Sequence, residues 1–139
     1  MNHTRLAVVT AALLLFSCTQ TRKATAPGCD FEIRFGRTGG FTNIPVEYAL
    51  FENRKVYRIR GDESVNVNRI RIKEMKEIKN LVDSLGFRNL ESEKPGNVNY
   101  FIRVCTADSD HRVSWSETEG DNPRNILFRR LLDTLREEP

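Results

Sequence analysis

Alternation of apolar and charged residues opens at Cys29, with Phe31, Ile33 and Phe35 on one side and Asp30, Glu32 and Arg34 on the other. A period of two sends successive side chains to opposite faces of an extended chain, so this stretch is predicted to be a half-buried strand. The pattern returns in Pro45 to Phe51, where Val46, Tyr48 and Leu50 share a face, and in Lys55 to Arg60, with Tyr57 and Ile59. The short Glu52-Asn53-Arg54 link makes these neighbours antiparallel. Gly61 to Asn68 (GDESVNVN) is polar and reads either as an exposed loop or, through Val65 and Val67, as a strand leading into Ile70 and Ile72. The pattern alone leaves both open.

From about Lys73 to Leu85 the period lengthens: Met75, Ile78, Leu81, Val82 and Leu85 recur at steps of three and four, with lysines and glutamates between them. That predicts an amphipathic helix, and Gly86 followed by Phe87 suits a left-handed cap with its apolar contact. Asn89 to Val98 reads as a loop. Tyr100 to Thr106 and His111 to Ser116 are predicted to form a hairpin around Ala107 to Asp110, with Val113 and Trp115 on one face. Asn122 is a good N-cap before Pro123, and Leu127, Phe128, Leu131, Leu132 and Leu135 give a final helix its buried stripe. The order β-β-β-α-β-β-α defines an α+β domain over 29–139: a mainly antiparallel sheet of about five strands with both helices packed on one face.

Between the first two strands lies Phe35-Gly36-Arg37-Thr38-Gly39-Gly40-Phe41, with three glycines in five positions. Glycines so spaced mark a sharp turn, a bulge or a close backbone approach. A phosphate-binding loop would deliver its anion to a helix N-terminus, whereas these glycines lead through Thr42 and Asn43 into another strand without a P-loop lysine. The stretch is therefore a strand-to-strand turn or a recognition loop. Phe41 is either a staple under the sheet or an exposed anchor.

The first residues follow different rules. Arg5 precedes an uncharged apolar core from Leu6 to Phe16, about ten residues long and too short for a hydrocarbon layer that needs about twenty. Residues 1–17 are predicted to be a signal peptide. Leu15-Phe16-Ser17-Cys18 is similar to a lipobox, which makes Cys18 the acylated first residue of a bacterial lipoprotein and 18–28 a polar tether. No acidic residue occupies the positions next after Cys18, which favours sorting to the outer membrane. Loss of Arg5 with the leader lowers the formal charge of +3 by one, and with 29% of the chain charged in both signs this is a mixed solvated surface. No basic block is interleaved with aromatics, so nucleic acid is not expected as a partner.

Export places Cys29 and Cys105 where disulfides persist. Strand parity argues against their pairing, because Cys29 goes with Phe31 and Ile33 while Cys105 opposes Ile102 and Val104; Cys29 lies at a strand start, where parity need not hold. The bridge stays open on these grounds. Beyond the leader His111 is the single histidine, with no metal-ligand spacing and no nucleophile motif around it. Neither metal, cofactor nor catalytic residue is expected, and His111 reads as a polar residue flanking the turn.

Several of these stretches together resemble the opening and body of the emfourin family: the strand ending in Phe35, the Arg37-Thr38-Gly39-Gly40-Phe41 turn, the Val46 to Leu50 strand, Leu81-Val82-Asp83-Ser84-Leu85-Gly86-Phe87-Arg88-Asn89-Leu90, the later hairpin and the closing leucine-rich helix. The likeness spans roughly Phe31 to Leu135. Emfourins are small inhibitors of protealysin, a thermolysin-type zinc metalloprotease. The resemblance implies a non-enzymatic inhibitor held at the membrane by its lipid, with a metalloprotease as protein partner. On this reading Arg37 and Thr38 are polar contacts, Gly39 and Gly40 the close-approach backbone, and Phe41, Thr42 and Asn43 the flank. The competing expectation is a structural or ligand-binding envelope lipoprotein.

Overall fold

The alternation that opens the domain forms β1 (Phe31–Gly39) in the computed structural model, which describes residues 29–117 and 120–136. The expected leader over 1–17, acylation of Cys18 and the tether over 18–28 lie outside the described residues. β1 pairs antiparallel on both sides, with β2 (Val46–Phe51) and with β5 (Val98–Thr106). A strand flanked on both edges buries its apolar side most completely, and Ile33 and Phe35 lose all solvent contact. β3 (Lys55–Arg60) and β4 (Glu63–Arg69) continue outward from β2. The polar stretch after Gly61 is thus a strand, and the sheet has six strands in the order β4-β3-β2-β1-β5-β6. An edge strand needs less apolar content than a central one, which explains its ambiguous sequence.

α1 (Ile72–Ser84) carries the chain from β4 back to the other side of β1, burying Met75, Ile78 and Val82. Glu74 closes its first turn by accepting from the Arg71 backbone N–H at 2.9 Å. Gly86 ends it at φ 62°, and Phe87, buried, opens a 3-10 turn over Phe87–Asn89. Leu90 to Asn97 is more than a loop. The Glu93 N–H donates to the Ser114 carbonyl and the Ser114 N–H to Ser92 Oγ, so the segment covers the outer edge of β6 (Ser109–Trp115).

The β5–β6 hairpin turns on Ala107 and Asp108 alone, not on the four residues expected. Ser109 and Asp110 join β6 because their polar side chains fall where the hairpin meets solvent; Asp110 accepts from Arg103 at 2.7 and 2.5 Å across the ladder. α2 (Pro123–Asp133) starts as expected, with the Asn122 side chain accepting from the Asn125 N–H. Its buried stripe is narrower than predicted. Leu127, Phe128 and Leu131 are buried, Leu135 is partly so, and Leu132 is exposed at the rim of a hollow that it shares with Arg37, Val46 and Tyr48.

Both helices cover one face. Ile33, Phe35, Leu50, Val56, Ile102, Val113 and Trp115 pack there against Ile78, Leu127 and Leu131, and Trp115 Nε1–H donates to buried Asn125 Oδ1 at 2.8 Å. The opposite face is sealed by charged side chains. Arg34 lies between Glu32 and Glu47, and Arg112 lies 4.2 Å over the ring of Phe101, which is buried beneath it. Cys29 and Cys105 form a disulfide with Cα atoms 6.1 Å apart. Cys105 faces this side opposite Glu32, and because the strand begins at Phe31, after a bend at Asp30, Cys29 is not bound by its parity.

Candidate functional site

The glycine stretch divides between a strand and a turn. Arg37, Thr38 and Gly39 belong to β1, opposite Tyr100, Asn99 and Val98 of β5. Gly40 bends, Phe41 and Thr42 turn, and Asn43 returns the chain at φ 49°. Two backbone hydrogen bonds hold this shape: Gly40 N–H to the Asn97 carbonyl at 2.9 Å and Asn43 N–H to the Gly40 carbonyl at 3.1 Å. Gly39 sits at φ 85°, and a Cβ there would come within 2.4 Å of the Asn97 carbonyl oxygen. This is the close backbone approach anticipated from the glycine spacing, and its partner is the chain's own β5 approach. Both N–H groups are spent internally, which removes them from any anion cradle.

Phe41 lies outside the sheet. Its side chain is fully exposed, and Ile44, which sequence reasoning did not single out, is 67% exposed beside it. The seven expected residues do not share one surface. Arg37 and Thr38 alternate, so Arg37 lies on the helix-bearing side and Thr38 on the opposite side, while Gly40 to Ile44 form the projecting tip. Asn97, which braces the tip, had no local signal because its contact is made far along the chain. Ile44 and Pro45, with Val46, Arg58, Ile59, Arg60 and Gly61, border a shallow hollow of about 350 Å³ next to the tip.

A larger cleft, about 510 Å³, lies at the other end of β1, between Phe31, Lys79, Asp83, Arg88 and His111. Some of its polar groups are engaged with one another or with backbone. Lys79 Nζ meets both Glu52 carboxylate oxygens at 2.8 Å and lies 4.5 Å over the Phe31 ring. His111 Nε2–H donates to the Leu90 carbonyl at 2.9 Å, and its ring packs edge-on against Phe87. His111 stands opposite Val104, on the face away from the bonded Cys105, so no cysteine–histidine pair is assembled. Among the described residues no group of three or more His, Cys, Asp or Glu is placed to hold a metal ion, and no helix is long and apolar enough to cross a membrane.

No family model matches the chain, and no curated protein matches it. What stands on its own is an α+β domain with a one-sided six-stranded sheet and a braced, apolar tip at one pole.

Proposed function

We propose that the protein is a non-enzymatic, lipid-anchored inhibitor of a thermolysin-type metalloprotease, inserting the tip from Gly40 to Ile44 into the substrate cleft. The observation that carries this reading is the exposure of Phe41 on a turn whose backbone is already fixed. An apolar ring left in water by a monomer gains roughly 1.5–3 kcal/mol when a pocket covers it. A turn held by its own hydrogen bonds loses little entropy on binding, so more of that gain survives as affinity. The emfourin resemblance supplies the target class, and the lipobox-like Leu15 to Cys18 supplies the anchor in the bacterial envelope, with the outer membrane favoured.

Titration of a thermolysin-type protease with the purified chain tests it. Activity falls at micromolar inhibitor, and a Phe41→Ala chain needs at least tenfold more; full activity at micromolar excess would overturn the reading. A second reading, a ligand-binding envelope lipoprotein, draws on the cleft between Lys79, Asp83, Arg88 and His111. It predicts that substitution of Arg88, and not of Phe41, disrupts function.

A further inference from the structure

The helices do not cover the whole of their face of the sheet. Around the tip ends of β2, β3 and β4, Ile44 and Val65 are 67% and 61% exposed, and Val46, Tyr48 and Val67 are half-buried. Three arginines share this corner. Arg37 stands across from Val46, Arg58 lies between Tyr48 and Val65, and Arg60 has the same parity as Arg58. None of the three forms an ion pair among the described residues, whereas Arg34, Arg103, Arg124, Arg129, Arg130 and Arg136 each reach a carboxylate. Glu63, across from Arg60, and Asp62 in the turn lower the local charge, yet neither closes a pair with it.

The backbone at this corner is open as well. β6 has its outer edge covered by Ser92 and Glu93, while β4 has no strand on its outer edge among the described residues. Asn66 and Asn68 side chains bond to backbone near the end of β4, and nothing comparable occupies Glu63 to Val65. An open edge recruits an extended chain through main-chain hydrogen bonds, and unpaired guanidinium groups beside it select for carboxylates. Hollows of about 350 and 210 Å³ on either side of Arg58 and Arg60 leave room for apolar side chains.

We propose that this corner docks an extended acidic segment of a partner protein, laid along β4 with carboxylates on Arg58 and Arg60 and an apolar side chain against Val65. The inference does not depend on the protease reading. Charge complementarity fixes the sign of the partner, and the open edge fixes its extended form.

Fluorescence anisotropy of the purified full chain with a labelled peptide of alternating Glu and Val tests it, with the Glu→Gln version of the peptide as control. Expected are saturable binding of the Glu peptide, at least tenfold weaker binding after R58A/R60A or on raising salt from low to high, and a change under twofold with Phe41→Ala. An unchanged thermal midpoint verifies that R58A/R60A is folded, and exposed Val65→Glu, which sets a like charge against the peptide beside Arg58, supplies a second variant that weakens binding without touching the arginines. Equal affinity for the Glu→Gln peptide, or for R58A/R60A, overturns the proposal. Arginine-dependent binding to phosphatidylglycerol vesicles with no binding of the peptide overturns it in favour of a lipid surface. Since Phe41→Ala is read against the protease and R58A/R60A against the peptide, failure of one reading leaves the other measurable.

Discussion

Gly39 and Phe41 stand two positions apart and have opposite relations to the fold. Gly39 holds a left-handed backbone pressed against the Asn97 carbonyl, so Gly39→Ala is expected to cost about 1–3 kcal/mol in urea unfolding. Phe41 touches solvent, and Phe41→Ala should alter stability by no more than about 0.5 kcal/mol while weakening inhibition. A loss of stability with Phe41→Ala would mean that the ring is part of the fold. On the sheet's other face, hydrogen bonding to Arg103 holds the Asp110 carboxyl below its ordinary range. A carboxyl whose folded value is depressed contributes stability above its unfolded pKa, and that contribution is lost as pH falls through the folded value. Asp110→Asn is therefore expected to cost roughly 0.5 kcal/mol near neutrality, a figure already reduced for solvent screening, and nothing in strong acid. Thermal unfolding of both chains across that pH range measures it.

At the scale of elements, the disulfide ties the approach to β1 to the far end of β5, across a sequence separation of 76 residues. Closing so long a loop restricts the unfolded chain, and the Cys29→Ser/Cys105→Ser double variant should lose about 2–4 kcal/mol in denaturant unfolding. No change would place the stabilisation in the β1–β5 ladder alone. The two edges of the sheet are treated differently. Ser92 and Glu93 shield β6, whereas β4 relies on asparagine side chains and terminal charges, which makes it the more accessible edge.

The molecule as a whole separates its two ends. β1 runs nine residues, roughly 30 Å, from the disulfide-bonded start of the domain to the tip. A chain tethered ahead of Cys29 would present Phe41 at the far pole. A bulky fusion placed before Gly28 is accordingly expected to leave protease inhibition within twofold, while a short polar insertion between Thr42 and Asn43 abolishes it with an unchanged thermal midpoint. Inhibition kinetics on the two chains decide this. Equal effects from both would move the contact surface away from the tip.

Local periodicity was enough to fix much of this protein. Phe31-Ile33-Phe35 wrote β1, the steps from Met75 to Leu85 wrote α1, and Asn122-Pro123 wrote the start of α2, because each depends on side chains close in sequence. The α+β class follows from their order. Tertiary structure decided what depends on distant partners. β4 is a strand because β3 offers it an edge, and Phe41 is exposed on a turn that the distant Asn97 carbonyl braces. Cys29 reaches Cys105 because the strand starts two residues later. The arginine corner is legible only once β1, β2, β3 and β4 are brought together, since Arg37, Arg58 and Arg60 carry no shared signal along the chain. A one-dimensional pattern records which face a residue takes, and only the packed sheet records which part of that face remains uncovered.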